Sequence, residues 1–260
     1  MKNISELSLA LLFLLASCGL GASDRIGEVS ARFLGAPYIE DPLGEGEGAA
    51  LDPDPLWRFD AFDCLTYVET VLALANSDSE EGFEKAMREI RYKGGEVSFL
   101  SRNHFTSIDW IPNNARYVAD LTEGLSMDAL SKPASVHNVR IDKGKWFKNA
   151  HGIDVEAEPE EVSVAYVALG DLLAAPEKLE AAVKRPMIAN VVVKYRRLQD
   201  RIGTDMDIAH TGFLLPTERG LLFRHASRRA GSVVDIGFFE YLEFLKGYPQ
   251  YKGINFVGIK

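Results

Sequence analysis

The sequence predicts an α+β fold in which N-terminal helices pack on an antiparallel sheet. Apolar residues recur at helical spacing in the N-terminal part, whereas runs of adjacent apolar and β-branched residues, typical of strands, come later. Hydrophobic residues make up 47% of the chain and charged residues 26%, which is the composition of a folded globular protein. Because helical and strand-rich stretches are separate, we expect helices layered on one sheet.

The predicted helices lie mainly before residue 92. Residues 23–35 are predicted to form a helix that ends at a glycine, and a loop rich in Pro, Gly and acidic residues follows over 41–55. Asp63 is a suitable N-cap for a helix that continues to about Ala75. A capping-box pattern over 78–81 predicts the start of a further helix. Shorter helices are expected over 115–125 and 176–183.

The strands are predicted in the C-terminal part, over 188–195, 208–215, 220–226 and 254–259. The second and third are joined by Pro216–Arg219, a turn-like connection that predicts a hairpin. Residues 131–165 are polar without clear periodicity, so we expect an irregular insert there. The length left after a signal peptide suits one domain, which we place at residues 18–260.

The N-terminus is predicted to be a lipoprotein signal peptide over residues 1–17. Its apolar run, Leu9–Leu15, is too short to span a bilayer, which takes roughly 20 residues. The run ends in Leu-Ala-Ser-Cys-Gly, which resembles the lipobox of bacterial lipoproteins, where the signal is cut before a lipid-bearing cysteine. We therefore expect Cys18 to hold the protein at a membrane of the cell envelope, facing the periplasm or the extracellular side. An ordinary signal cut near Gly21, which would discard Cys18, is the alternative.

Cys64 is the only other cysteine, and it stands where a loop turns into a helix. A helix start presents free N–H groups and the positive end of the helix dipole, both of which favour a thiolate. The same N–H groups can stabilise an oxyanion, so the position predicts a nucleophile. A buried apolar cysteine beside a capping Asp63 is the alternative. A disulfide between Cys18 and Cys64 is a third possibility in an exported protein.

Two histidines on the predicted hairpin favour the nucleophile. His210 and His225 lie on consecutive strands, so a hairpin can place their rings side by side. One imidazole would then accept the thiol proton while the other fixes its tautomer. Taken singly, each histidine is explained as well by a structural hydrogen bond.

Charge and spacing exclude other classes of protein. The chain has 29 basic and 38 acidic residues, a net charge of −9, which argues against nucleic acid as a partner. No His-x-x-x-His or Cys-x-x-Cys spacing occurs, so a zinc hydrolase is a weak alternative and we expect neither metal nor cofactor. His137 and His151 lie in the irregular insert, where we expect no chemistry.

Four separate motifs resemble those of a known bacterial family. The chain is similar to the N-acetylmuramoyl-L-alanine amidase-like proteins, relatives of the NlpC-type cysteine peptidases of the cell wall. The motifs are Gly35–Tyr38, Phe62–Glu69, Ser101–Phe105, and the pair His210–Gly212 with His225–Ser227. Together they cover most of the chain from Tyr38 onwards. The relatives often have Gly-Asp opening the strand before the first histidine, where this chain has Arg185–Met187.

The resemblance implies a papain-like fold and a set of residue roles. Cys64 would be the nucleophile, His210 the base and His225 the third member of a triad. Substrate-binding residues would be Tyr38, Asp63, Thr66, Arg102, Asn103 and His104. Among these, Arg102 would meet a substrate carboxylate or form a salt bridge, and His104 would line the cleft or lie in the core.

The activity that the resemblance implies is hydrolysis of the amide between N-acetylmuramic acid and L-alanine in muropeptides, the fragments of peptidoglycan. An endopeptidase that cuts within the stem peptide is one alternative, since in such relatives the residue matching Asp63 binds a free L-alanine amine. A lipoprotein that binds muropeptides without catalysis is another. An acyltransferase is a third, because a thiol acyl-enzyme can pass its acyl group to an amine.

Overall fold

The computed structural model of the protein describes residues 21–195 and 199–260, and it has an α+β fold. Cys18 and the predicted signal peptide lie outside the described residues. The helices are α1 Ala22–Ala31, α2 Cys64–Ala75, α3 Glu80–Arg91, α4 Ile111–Asn113, α5 Thr122–Leu130, α6 Lys143–His151, α7 Leu169–Ala174, α8 Pro176–Ala182, α9 Gln199–Ile202 and α10 Phe238–Lys246. The strands are β1 Val118–Asp120, β2 Ser135–Ile141, β3 Glu160–Ala168, β4 Met187–Val193, β5 Ile208–Thr217, β6 Gly220–Ser227, β7 Ser232–Gly237 and β8 Tyr251–Ile259.

The strands form one sheet in the order β2-β3-β8-β4-β5-β6-β7, and β1 pairs with β8 beside this path. Every pairing is antiparallel, as predicted. The hairpin of β5 and β6 pairs Phe213 with Arg224 and Thr217 with Gly220. A bulge between Val191 and Val192 shifts the register of β4 against β5 near His210.

Both faces of the central strands of the sheet are buried. Helices α1, α2 and α3 pack on one face, against core residues that include Ile188, Phe213 and Val257. Helices α7, α8 and α10 cover the other face, where Leu214 and Phe223 lie. Neighbouring residues of a strand point to opposite faces, so burial of both faces explains why the strands are continuously apolar instead of alternating. Among the described residues, no helix is long and apolar enough to cross a membrane.

The expectation of an irregular insert over 131–165 is wrong. This stretch forms β2, α6 and most of β3, and β2 and β3 pair along their length. In β2, His137, Val139 and Ile141 are buried whereas the residues between them are exposed. Such alternation is typical of a strand with one solvated face. Its exposed polar residues made the strand hard to recognise in the sequence.

Two other elements differ from the prediction. The helix expected over 115–125 is the short strand β1 followed by α5, because residues 118–120 pair with the end of β8. Helix α10 was not predicted, although Phe238, Tyr241, Leu242 and Leu245 are buried at helical spacing. The tertiary structure adds the aromatic face of this helix to the region of the histidines.

Candidate active site

The start of α2 is fixed by a reciprocal cap between Asp63 and Thr66. The Asp63 carboxylate accepts hydrogen bonds from the Thr66 N–H and hydroxyl, both at 2.8 Å, and the Asp63 N–H donates to the Thr66 hydroxyl at 3.0 Å. This capping box satisfies N–H groups that a helix start leaves unpaired. Cys64 is therefore held as the first helical residue, in agreement with the prediction.

Cys64 is a free, partly buried thiol. Burial and, to a smaller extent, the neighbouring Asp63 carboxylate raise its pKa to about 12. Hydrogen bonding by the backbone N–H groups of Thr211, Leu65 and Cys64 itself acts in the opposite direction, since it favours the thiolate. The resting residue is accordingly a neutral thiol in a site that already offers N–H groups to an anion.

His210 and His225 form a close pair. His210 Nε2 lies 2.6 Å from His225 Nδ1, so the two rings share a hydrogen bond. Burial lowers the pKa of His210 to about 3, with a contribution from the charge of His225. Burial also lowers the pKa of His225 to about 4, which Asp235 partly opposes. Both imidazoles are therefore neutral near pH 7, and one ring donates a proton that the other accepts.

Aromatic rings from β6 and α10 hold this pair in place. The Phe223 ring stacks on His225 with centroids 4.7 Å apart, and Tyr241 contacts both imidazoles, at 5.3 Å from His225 and 6.3 Å from His210. Tyr241 also stacks on Phe223. The histidines thus project from the sheet face that α10 covers.

Helix α2, which begins at Cys64, packs on the opposite face of the sheet. Its first residue approaches the strand that carries His210 where the hairpin of β5 and β6 opens. Pairing of β5 with β6 covers Phe213 to Thr217 and stops before His210. At this opening the Thr211 N–H, one residue beyond His210, faces the Cys64 sulfur. Burial raises the pKa of Tyr241, the residue that contacts both imidazoles, and the charge of Cys64 acts in the same direction. Thr211 and Tyr241 therefore connect the surroundings of the sulfur with those of the histidine pair.

Tyr38 lies beside Cys64 as the resemblance implied. Burial raises the pKa of Tyr38 to about 12, and the neighbouring charges of Cys64 and Asp63 add to this effect. Its backbone is fixed by a hydrogen bond from the Tyr38 N–H to the Gly231 carbonyl at 2.8 Å and by a bridge to Phe62. The hydroxyl consequently stays protonated and can donate a hydrogen bond at neutral pH.

A cavity of about 210 Å³ opens beside the start of α2. Its lining includes all but one of the predicted substrate-binding residues, namely Asp63, Thr66, Arg102, Asn103 and His104. Tyr38, Cys64 and the histidine pair are not among the lining residues. The structure therefore separates a reactive region, around the sulfur, from an adjoining binding region.

Arg102 has acidic partners within the protein. Its Nη2 donates to Glu45 at 2.5 Å and to Asp52 at 2.6 Å, and its Nη1 lies 3.5 Å from Asp41. The arginine is buried, so these bonds tie the loop over 41–55 to the wall of the cavity. Of the two expected roles, a substrate contact and a salt bridge, the structure contains the salt bridge, in a buried form.

Asn103 and His104 also have internal partners. The Asn103 amide donates to the Ile90 carbonyl at 3.0 Å and accepts from Asn113 at 2.6 Å. His104 Nε2 lies 2.7 Å from the Phe99 carbonyl. Burial lowers the pKa of His104 to about 3, so the ring is a neutral part of the cavity wall.

Several cavity residues were not predicted from the sequence. Glu69 accepts from Arg91 at 2.8 Å and from the Trp110 indole at 3.1 Å, which places a buried ion pair in the cavity lining. Trp146 and His151 of α6 contribute aromatic lining, and the sequence had suggested no chemistry for His151. The adjacent aromatic residues at 146 and 147 in a polar stretch were the available signal. Within residues 21–195 and 199–260, no group of three or more His, Cys, Asp or Glu side chains is arranged to hold a metal ion.

Comparison with known proteins places the chain in a family. The family model described as AmiA-like, N-acetylmuramoyl-L-alanine amidase-like, matches residues 28–248. A crystal structure of a Legionella pneumophila protein, from the family DUF1460, is 31% identical, with 98% of this chain and 94% of that chain covered at a TM-score of 0.89. No curated protein matches the chain.

A second solved structure is more distant. An N-acetylmuramoyl-L-alanine amidase from Bacteroides uniformis is 21% identical, with 92% of this chain and 99% of that chain covered at a TM-score of 0.68. At this identity the likeness shows a shared fold alone. Because the family model spans most of its length, the chain belongs to the AmiA-like family of N-acetylmuramoyl-L-alanine amidase-like proteins.

Proposed function

We propose that the protein is a cysteine-dependent amidase that cleaves the bond between N-acetylmuramic acid and L-alanine in muropeptides, on a papain-like arrangement of nucleophile and base. One observation carries the proposal: a thiol at a helix start is hydrogen-bonded by the backbone of Thr211, the residue after His210, which is itself joined to His225 at 2.6 Å. Membership of an amidase-like family supports the substrate class.

The resting state that this geometry supports is a neutral thiol beside a neutral imidazole. With the thiol pKa raised and the His210 pKa lowered, an ion pair does not form before substrate binds. The hydrogen bond of His210 Nε2 to His225 leaves Nδ1 of His210 as the nitrogen that takes the thiol proton. Proton transfer then accompanies attack of the sulfur on the amide carbon.

The oxyanion that forms on attack needs donors. The N–H groups at the start of α2 are oriented to the sulfur, and the Tyr38 hydroxyl is a further donor because it stays protonated. His210 next gives its proton to the departing amine of L-alanine, and the N-acetylmuramoyl group remains as a thioester on Cys64. His210 then accepts a proton from water, and the hydroxide releases the lactyl carboxylate and restores the thiol.

Cys64→Ala and Cys64→Ser test this proposal. We expect both to abolish release of stem peptides from defined muropeptides, measured by mass spectrometry, with the circular dichroism spectrum unchanged. Thr70→Ala is a matched control, because Thr70 is buried on the same helix and its hydroxyl has no hydrogen-bond partner. Wild-type activity in Cys64→Ala would refute the proposal and leave a muropeptide-binding protein.

A second function is favoured by one observation. Asp63 lines the cavity, and only one of its carboxylate oxygens takes part in the cap. The other oxygen is available to a substrate amine, as an endopeptidase acting on a free L-alanine terminus would require. The masses of the products distinguish the two activities, since the amidase yields a peptide that begins with L-alanine. Transfer to an amine would instead yield an adduct.

We also propose that Cys18 carries a lipid that anchors the protein in the cell envelope, an inference that rests on the sequence around Leu15–Gly19. Labelling of cells with a radioactive fatty acid should mark the wild-type chain and not Cys18→Ala. Labelling of both chains, or of neither, would contradict the anchor.

A further inference from the structure

A strip of aromatic side chains leads from Tyr241, which contacts the histidine pair, to the surface. The aromatic strip consists of Tyr195, Phe244, Tyr248 and Tyr251. Phe244 and Tyr248 have ring centroids 5.2 Å apart, and Tyr248 and Tyr251 have centroids 6.1 Å apart. Tyr195 is joined to Tyr251 by a hydrogen bond between their side chains. Tyr248 is 44% exposed and Tyr195 is 37% exposed, so the outer rings face solvent.

The aromatic strip is continuous with the reactive region. Tyr241, which contacts both imidazoles, stacks on Phe244 at 6.3 Å. Burial raises the pKa of Tyr241, and the charges of Tyr251 and Cys64 act in the same direction, so both residues lie near it. The cavity beside Asp63 and Thr66 does not include any of these rings. The aromatic strip is therefore a surface separate from that cavity.

A cation borders the aromatic strip. The Arg229 guanidinium lies over the Phe244 ring at 4.7 Å. Arg229 is exposed, and it forms no ion pair with a carboxylate among the described residues. On a chain with a net charge of −9, a surface with rings and an unpaired cation suits a ligand with carboxylates.

The direction of the reaction relates this surface to one half of the substrate. In the mechanism proposed above, His210 protonates the departing amine, so the leaving group must lie on the side of the imidazoles and the acyl group on the side of the α2 start. The leaving group of either proposed hydrolase is a peptide with free carboxylates. We propose that the aromatic strip binds the leaving peptide of the substrate, with Arg229 as the partner of a carboxylate. This inference rests on the proposed function for the orientation of the substrate.

Binding to an inactive protein tests the strip apart from catalysis. The full chain with Cys64→Ala would be titrated in a calorimeter with a synthetic stem peptide that begins with L-alanine. Adding Tyr248→Ala or Arg229→Gln should raise Kd by about 5- to 10-fold, the usual effect of losing one aromatic or charged contact. Met127→Ala is the control, since Met127 is 45% exposed on α5, outside the aromatic strip and the cavity lining. An unchanged Kd in both strip variants, or no binding by the parent, would overturn the inference.

Kinetics with two leaving groups give a second readout. With Cys64 intact, Tyr248→Ala should raise KM several-fold for a muropeptide with a full stem, and leave KM unchanged for N-acetylmuramoyl-L-alanine. Equal effects on both substrates would point to a structural role for Tyr248 and contradict the inference. Hydrolysis that survives Cys64→Ala would refute the proposed function, and the titration would still decide whether the strip binds the peptide.

Discussion

Asp63 has two separable effects on the site, and replacing it separates them. Its carboxylate caps α2 through Thr66, and its charge raises the pKa of Cys64. Asn caps a helix about as well as Asp but has no charge. We expect Asp63→Asn to leave the fold stable and to lower the pKa of the Cys64 thiol, because removing a nearby anion favours the thiolate.

The alanine variant should lose both effects. Loss of an N-cap costs about 1 kcal/mol, within a range of roughly 0.5–2 kcal/mol. Here the Thr66 hydroxyl also loses its carboxylate partner, so Asp63→Ala should cost about 1–2 kcal/mol. For a chain of this size, a loss of 1 kcal/mol lowers Tm by roughly 2–4 °C.

The assay is the rate of Cys64 alkylation by iodoacetamide as a function of pH, measured together with thermal unfolding. Both variants should reach half-maximal alkylation at a lower pH than wild type, and only Asp63→Ala should unfold at a lower temperature. Ser79→Ala is the control, because the Ser79 hydroxyl caps α3 by accepting from the Gly82 N–H at 3.1 Å, away from the thiol. It should lower Tm without moving the alkylation profile. A profile that Asp63→Asn leaves unchanged, or moves to higher pH, would refute the reasoning.

Four further predictions concern the histidines, the oxyanion, the buried ion pair and the effect of pH on stability. His225→Ala should lower kcat by about 10²- to 10⁴-fold with little change in KM, since His210 then loses the partner that fixes its tautomer. A raised KM with an unchanged kcat would contradict this. Tyr38→Phe should lower kcat by about 10²- to 10³-fold if its hydroxyl serves the oxyanion, and an unchanged kcat would exclude that role. Glu69→Ala should cost about 3–5 kcal/mol in urea unfolding, because Arg91 would be left buried without its carboxylate. The stability of the wild-type protein should also fall as the pH drops below 6.5 towards 4. In this range the two histidines of the unfolded chain bind protons, whereas His210 and His225 of the folded protein, whose pKa values are lowered, stay neutral. The free energy of unfolding should therefore fall by about 1 kcal/mol per pH unit for each histidine.

Local chemistry made the reactive residues predictable. The start of α2 depends on residues three apart in the chain, Asp63 and Thr66, so their identities alone place Cys64 at a helix start. The hairpin of β5 and β6 depends on two apolar runs and the turn between them, so it too could be predicted. Both features rest on contacts between near neighbours in sequence.

The residues that line the cavity were harder to predict from local sequence patterns. Arg102 was expected to meet a substrate carboxylate or to form a salt bridge, and its partners Glu45 and Asp52 lie 57 and 50 positions earlier in the chain. Trp146 reaches the cavity because β2 and β3 add α6 to the wall, and the polar faces of these strands obscured them. The aromatic face of α10 came to the histidines in the same way, through packing on the far side of the sheet.

The sequence by itself determined that a lone thiol heads a helix and that two histidines share a hairpin, since short-range hydrogen bonds and turn geometry settle both. Only the tertiary structure decided that the sulfur meets the opening of that hairpin, that the wall of the nearby cavity contains buried ion pairs, and that the aromatic rings of α10 pack on the histidines. These features depend on which distant segments pack together, and no local pattern of residues contains that information.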